Sequence, residues 1–280
     1  MNLKDNKIGI YEKAIPNSFN WETKIKVAKA AGYDFIEISV DESDDRLSRL
    51  EWTKEERNNL LSLFKKNDLQ FESMCLSGHR RFPFGSKNEK TREKAYRIMD
   101  QAIELALDLE IKNIQLAGYD VYYEESDEET IKLLIEGLRY ASKQAEIAGV
   151  MLTLEIMDTW LMGTISRALK YVKIVNSPNL NIYPDLGNLS RWCEDPEDEL
   201  IKGINYIEAI HLKDTLPGVF KCVPFGNGTV RFSDLFNTLK DLKYSKPFLI
   251  EMWADNTKEY TFEQSVSEIL KAKTWLYNRM

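Results

Sequence analysis

The chain of 280 residues contains only two histidines and three cysteines. Cys75, Cys193 and Cys222 are odd in number and widely spaced, which argues against a disulfide framework and leaves no pair with the CxxC spacing of a zinc site. No apolar run reaches the roughly 18 to 20 residues that a membrane span requires, and the first residues lack the apolar core of a signal peptide. We therefore expect a cytoplasmic protein with no membrane partner.

Positive charge is also scarce. The 38 lysines and arginines are outnumbered by 45 aspartates and glutamates, so the net charge is -7. Nucleic-acid binding normally requires a basic face, so we expect no nucleic-acid partner. A small phosphorylated ligand stays compatible with this balance, because it needs only a local cationic pocket.

Eight short apolar segments recur along the chain, and the stretches between them have helical periodicity. The segments read KIGIYEKAI, DFIEISV, QFESMCL, NIQLAG, MLTLEIM, LNIYPDLG, IEAIHLKD and KPFLIEMW. Strands that alternate with helices over this length predict one (β/α)₈ TIM barrel, an α/β fold, spanning residues 1–280. An open doubly wound sheet is the alternative, but its strands would be apolar on both faces, whereas these strands have one polar face.

Local signals mark the helices. The clearest periodicity, at spacings of three, four and seven residues, comprises Ala95, Ile98, Met99, Ala102, Leu105, Ala106 and Leu109. Thr53 with Glu56, and Ser126 with Glu129, have the spacing of a capping box. Gly32 and Gly149 stand where helices are expected to end.

Four residues able to bind a metal lie near the ends of the last four strands. Strand alternation places them opposite the aliphatic faces, so all four should point into the barrel at its C-terminal end. They are Glu155, Asp185, His211 and Glu251. Three converging carboxylates would repel one another without a cation, so the pattern predicts one divalent metal ion, with Mn²⁺, Mg²⁺, Zn²⁺ and Co²⁺ all compatible.

At these positions the sequence resembles a known family. The stretches LTLEIMD, NIYPDLGNLSRW, AIHLKD, VPFGNGTVRF and FLIEMW are similar to the xylose isomerase-like sugar epimerases, and MCLSGHRRFPFGS is similar to the L-ribulose-5-phosphate 3-epimerases, also called L-xylulose-5-phosphate 3-epimerases, of ascorbate use. The resemblance covers essentially the whole chain. It implies a barrel whose four metal ligands are those named above, with Glu155 and Glu251 as the catalytic residues, and a possible homodimer.

This resemblance implies a C3 epimerisation of a pentulose phosphate. The reaction removes the proton beside the C2 carbonyl and returns one to the other face, which suits two bases on opposite sides of the substrate. We expect Glu155 and Glu251 to exchange the roles of base and acid, and the metal to stabilise the enediolate charge.

Two loops are candidates for phosphate binding. His79, Arg80 and Arg81 follow the third strand and concentrate donors and positive charge there. After the seventh strand, backbone N–H groups of Gly226, Asn227 and Gly228 could bind an anion, with charge from Lys213 and Arg231. On composition alone, the arginines after the third strand could equally form surface ion pairs.

Two positions depart from the epimerases of free sugars in this superfamily. Those enzymes usually have an arginine where this chain has Pro217 and a histidine where it has Asn188. The first difference favours a phosphorylated substrate, and Asn188 is predicted to bind a sugar hydroxyl. An aldose–ketose isomerase, an epimerase of another ketose phosphate, and a catalytically silent sugar-phosphate-binding barrel remain as alternatives.

Overall fold

The computed structural model describes residues 2–280, and eight parallel strands form its centre. The eight are β1 (Ile8–Tyr11), β2 (Phe35–Val40), β3 (Gln70–Leu76), β4 (Asn113–Ala117), β5 (Met151–Glu155), β6 (Leu180–Tyr183), β7 (Ile210–Leu212) and β10 (Phe248–Ile250). Two further strands, β8 (Asp214–Leu216) and β9 (Val219–Val223), form a separate antiparallel pair. The sheet runs in the order β6, β5, β4, β3, β2, β1, β10, β7. Two parallel bridges, from Ile182 to Ile207 and from Asp185 to His211, bring β7 beside β6 and close the ring. The predicted barrel is thereby confirmed.

Helices surround the barrel. They are α1 (Trp21–Ala30), α2 (Asp44–Leu47), α3 (Lys54–Lys66), α4 (Glu89–Asp108), α5 (Glu128–Ala148), α6 (Ile165–Val175), α7 (Leu186–Trp192), α8 (Pro196–Gly203), α9 (Phe232–Asp241) and α10 (Phe262–Tyr277). The main hydrophobic core lies between these helices and the outward faces of the strands. No helix in residues 2–280 combines the length and the apolarity of a membrane span.

The helix signals in the sequence are largely confirmed. All seven periodic residues from Ala95 to Leu109 are buried, and Thr53 and Glu56 form a reciprocal capping box at the start of α3. Gly149 caps α5 in the left-handed conformation, with φ of 70°. The start of α5 was misplaced by one residue, because Asp127 accepts the N–H groups that Ser126 was expected to bind, and Thr130 completes the box.

The barrel interior contains a second, smaller cluster. Tyr11, Phe35, Cys75, Tyr183, Ala209 and Leu249 fill the space inside the ring. Gly9 is required beside it, since a Cβ there would lie 2.2 Å from the Phe35 ring. This packed interior supports the polar residues at the C-terminal end of the strands.

Candidate metal centre and active site

The four predicted ligands meet at the C-terminal end of the barrel. One ligand atom from each of Glu155, Asp185, His211 and Glu251 lies within 4.8 Å of the others, and all four residues are buried. His211 Nδ1 lies 3.2 Å from Glu155 Oε1 and 3.9 Å from both Asp185 Oδ2 and Glu251 Oε2. Glu155 and His211 lie on β5 and β7, whereas Asp185 and Glu251 lie just beyond β6 and β10. The structure therefore brings together the group that strand alternation predicts.

This group fits a divalent cation by its chemistry. Three carboxylates and one imidazole are a common set of ligands for Zn²⁺, Mn²⁺ and related ions. Asp185 Oδ2 and Glu251 Oε2 are buried, and within residues 2–280 their ion-pair contacts are to Lys213 Nζ and, at 3.9 Å, to His211 Nδ1. Burial, opposed by Lys213 and reinforced by Glu251 and Glu155, raises the pKa of Asp185. A bound cation would relieve the repulsion among the three carboxylates.

Glu37 on β2 is a member of the site that the sequence did not reveal. It is fully buried, and its Oε1 lies 3.3 Å from His211 Nε2, on the side of the ring away from the other ligands. Ser73 Oγ donates to Glu37 Oε2 at 2.5 Å and fixes the carboxylate. Such a carboxylate holds a histidine ligand in one tautomer and orientation. The signal in the sequence that could have identified Glu37 is its place on the polar face of β2.

Gln115 on β4 is a second residue that the sequence analysis missed. Its Nε2 donates to Glu155 Oε2, while Glu155 Oε1 faces His211. The two oxygens of Glu155 are therefore held in different surroundings. One oxygen faces the Gln115 amide and the other faces the His211 imidazole.

Lys213 lies inside the site rather than beside a phosphate loop. Its Nζ is 2.8 Å from Asp185 Oδ2 and 3.0 Å from Glu251 Oε2. Burial disfavours the charged lysine, but Asp185 and Glu251 outweigh it and raise the pKa of Lys213. The ammonium is committed to two carboxylates, so the structure does not support its predicted role as a phosphate contact.

Asn188 also lies in the site, one turn into α7. Its backbone N–H donates to Asp185 Oδ1 at 2.9 Å, and its Nδ2 donates to the carbonyl of Ile156 at 3.0 Å. Its Oδ1 is buried and lacks a hydrogen-bond partner among residues 2–280. The hydroxyl contact expected of Asn188 stays a prediction, with this oxygen as the available acceptor.

The glycine loop of residues 226–228 follows β9, and its predicted anion-binding N–H groups already have partners within this chain. The N–H groups of Gly226 and Gly228 donate to Asp214 Oδ2 at 2.9 and 3.0 Å, and Asn227 N–H donates to the carbonyl of Pro224. A Cβ on Gly228 would lie 2.0 Å from Asp214 Oδ1, so glycine is needed for this contact. The loop already binds a carboxylate, that of Asp214. Arg231 pairs with Glu197 at 2.7 Å.

In the loop after β3, the three residues predicted to bind phosphate contact other groups of this chain. His79 is buried, its Nε2 bonds to the carbonyl of Ala95 at 3.1 Å, and burial lowers its pKa to about 4. A neutral, buried imidazole gives no charge to an anion. Arg81 pairs with Asp44 at 2.6 Å, and the Arg80 guanidinium lies over the Tyr122 ring and 3.6 Å from Glu42. The surface-pair alternative therefore describes Arg81 well.

A cationic pocket lies on the β1 and β2 side of the barrel mouth and was not predicted. Its cavity of about 380 Å³ is lined by Lys13, Asn17, Lys24, Asp41, Ser43, Asp45, Arg46, Arg49, Trp253 and Asn256. Beneath it, the fully buried Glu12 carboxylate binds Lys24 at 2.9 Å, Arg46 at 2.8 Å and Arg49 at 2.5 Å. Trp253 connects this pocket to the metal centre, because Lys213 Nζ lies 5.8 Å from its ring centroid.

Comparison with known proteins places the chain in a family. A sequence model of the xylose isomerase-like TIM barrel matches residues 25–278. A Haemophilus influenzae protein provisionally named L-ribulose-5-phosphate 3-epimerase is 51% identical, covering 99% of this chain and 98% of that protein. An Escherichia fergusonii protein named L-ribulose-5-phosphate 3-epimerase is 48% identical, covering 98% and 94%.

A solved structure has the same fold. The IolI protein with a binding zinc atom superposes with a TM-score of 0.78 and 19% identity, covering 98% of each chain. With the full-length relatives and the barrel geometry, these similarities identify the chain as an isomerase-class enzyme that belongs to the xylose isomerase-like TIM barrel family, in the group of the L-ribulose-5-phosphate 3-epimerases.

Proposed function

We propose that this chain interconverts L-xylulose 5-phosphate and L-ribulose 5-phosphate by metal-dependent epimerisation at C3. The buried cluster of Glu155, Asp185, His211 and Glu251 is the observation that carries the proposal. The names of the full-length relatives support the substrate. A divalent cation held by these four side chains would supply Lewis-acid stabilisation of the negative charge that develops when the C3 proton leaves.

The chain's own residues would move the proton. Glu155 and Glu251 approach the centre from β5 and from the end of β10, so that each can serve a different face of the sugar carbon. One carboxylate takes the C3 proton while the other, protonated, gives one to the opposite face, and the roles reverse in the opposite direction. Gln115 holds Glu155 through Oε2, which fixes the carboxylate for this transfer.

The cationic pocket is the best candidate for the substrate phosphate. Four cations, Lys13, Lys24, Arg46 and Arg49, surround two carboxylates, Glu12 and Asp41. This leaves an excess of two positive charges, of which the exposed Asp45 at the rim offsets one. A phosphate group matches that excess in sign and can accept the arginine donors. The sugar would then extend past Trp253 to the metal centre.

Substrate exchange with solvent tests the reaction. The enzyme, incubated in D₂O with L-ribulose 5-phosphate, should place deuterium at C3, as read by NMR. Glu155→Gln and Glu251→Gln should lose epimerisation and C3 exchange by about 10³-fold or more, because each removes a base. Asn88→Asp, at the exposed N-cap of α4, is a control that changes charge outside the four-residue metal cluster. Deuterium at C1 would indicate the isomerase, and C3 exchange retained in both variants would refute the proton-transfer roles.

Lys13→Met tests the phosphate position. Loss of one charged contact should raise KM for the phosphorylated sugar about tenfold to a hundredfold, with little change in KM for free L-ribulose. Lys29→Met is the matched control, because Lys29 near the end of α1 lies at the opposite end of the barrel and pairs with Asp68. An equal increase in KM for both sugars would indicate that the phosphate binds elsewhere.

A further inference from the structure

Lys213 occupies an unusual position for a buried lysine. It follows β7 directly, and its side chain is only 7% exposed. Its ammonium reaches Asp185 beyond β6 on one side and Glu251 beyond β10 on the other, and these are the two strands that flank β7. The lysine therefore links the two predicted ligands that lie beyond the ends of their strands.

The charge at this centre is strongly unbalanced. Four buried carboxylates meet there, those of Glu37, Glu155, Asp185 and Glu251. Within residues 2–280, the only lysine or arginine that forms ion pairs with any of the four is Lys213, which contacts Asp185 and Glu251. Buried carboxylates without a cation repel one another and lose solvation, so the lysine must offset part of this cost whenever no metal ion is bound.

The two carboxylate oxygens that contact Lys213 also face the histidine of the predicted metal site. Asp185 Oδ2 and Glu251 Oε2 contact Lys213, and they are also the oxygens that lie 3.9 Å from His211 Nδ1. A divalent cation at the centre would compete with the ammonium for these oxygens and would be repelled by its charge. Lys213 and the cation are thus alternative ways to neutralise one set of ligands.

We propose that Lys213 is a built-in counter-ion of the metal site, which holds Asp185 and Glu251 in place while the site is empty and weakens cation binding so that the ion exchanges. The proposal rests on the proposed binding of a divalent cation. This role differs in its consequence from a phosphate contact. Removing the charge of a counter-ion should strengthen metal binding, whereas removing a phosphate contact should leave metal binding unchanged.

Mn²⁺ titration tests this directly. The metal-free enzyme, prepared with a chelator, is titrated with Mn²⁺ while the free ion is followed by electron paramagnetic resonance. Lys213→Met should bind Mn²⁺ at least about tenfold more tightly than the natural chain, equivalent to about 1.4 kcal/mol. The melting temperature of its metal-free form should fall, and its rise on Mn²⁺ addition should be larger.

Two variants serve as controls. Lys213→Arg keeps the charge and should bind Mn²⁺ within about threefold of the natural chain. Lys221→Met removes an exposed lysine that lies at the same 5.8 Å from the Trp253 ring but does not contact the ligands, and it should leave both readouts unchanged.

The outcomes separate the two proposals. If the natural chain binds neither Mn²⁺ nor Zn²⁺, the proposed metal site fails, and the role of Lys213 fails with it. If the natural chain binds Mn²⁺ but Lys213→Met binds it equally or more weakly, only the counter-ion role is overturned. A Lys213→Met chain that folds only with Mn²⁺ supports the role, and one that does not fold even with saturating Mn²⁺ overturns it.

Discussion

Two buried charge centres at the mouth of the barrel are opposite in composition. In the first, the single carboxylate of Glu12 binds three cations. In the second, the single ammonium of Lys213 lies among carboxylates, two of which it contacts. One centre has excess positive charge and the other excess negative charge, and Trp253 lies beside both.

The difference indicates which kind of ligand each centre suits. A centre with excess buried charge is costly unless a ligand of opposite sign balances it. The Glu12 centre suits an anion, and the Lys213 centre suits a cation. Each centre contains a residue of opposite charge, Glu12 in the first and Lys213 in the second. This residue limits the repulsion among the others when the ligand is absent.

The largest expected effect on stability comes from removing the Glu12 carboxylate of the positive centre. Glu12→Gln leaves Lys24, Arg46 and Arg49 buried without their carboxylate, which should lower the free energy of unfolding by about 3–5 kcal/mol in urea denaturation. Inorganic phosphate should restore part of this loss, because an anion in the pocket replaces the missing charge. Glu22→Gln, which breaks an exposed, solvent-screened pair with Lys26, should change the free energy of unfolding far less.

The pH dependence of stability provides an independent measure of the contribution of Glu12. Burial favours the neutral form of Glu12, but the hydrogen bond from Arg49 and the charges of Arg49, Lys24 and Arg46 hold its pKa well below the usual value. Its contribution is therefore present above the unfolded pKa of about 4.3 and is lost as pH falls below that value. Glu12→Gln should abolish this part of the acid sensitivity. An unchanged acid profile, or no rescue by phosphate, would contradict the description of the positive centre.

The next effect concerns orientation at the negative centre. Glu37→Gln removes the carboxylate facing His211 Nε2, so Mn²⁺ affinity should fall about tenfold to a hundredfold. This change is opposite in sign to that expected for Lys213→Met. Glu72→Gln is the control, because Glu72 on β3 pairs with Lys7 and Lys112 at the other end of the barrel. If Glu37→Gln bound Mn²⁺ as tightly as the natural chain, Glu37 would not position the histidine.

The two centres also differ in how far the sequence predicts them. The metal cluster follows from strand alternation, which is local: Glu155 and His211 point inward because their strands alternate in a known way. Glu37 shares that inward face but contacts a ligand from the opposite side of the ring, and only the closed barrel reveals this.

The positive centre could not be predicted in the same way. Lys24, Arg46 and Arg49 come from α1, from α2 and from the short 3-10 turn after α2, and no spacing in the sequence indicates that they meet at Glu12. The opposite error occurred at Gly226 and Gly228. Glycine spacing indicated amides able to bind an anion, but Asp214 of the same chain provides the carboxylate.

The smallest expected effect concerns His79, a buried ionisable group that forms no ion pair within residues 2–280. Burial, opposed by the hydrogen bond to Ala95, lowers its pKa to about 4, so it is neutral in the folded protein and takes up a proton more readily when unfolded. Stability from this residue is complete above about pH 6.5 and declines as pH falls toward 4. At pH 5.5 the loss in free energy of unfolding should be about 1 kcal/mol. This pH lies above the range in which protonation of Glu12 lowers stability.

His79→Gln separates this loss from that at the charged centres. Glutamine can still donate to the Ala95 carbonyl but does not titrate, so the variant should lose about 1 kcal/mol less than the natural chain between pH 7 and pH 5.5, as measured by urea denaturation. Because surface carboxylates are common to both chains, their contributions cancel in this difference. Equal losses in the two chains would mean that His79 is accessible to protons in the folded state, and its predicted place near an anion would have to be reconsidered.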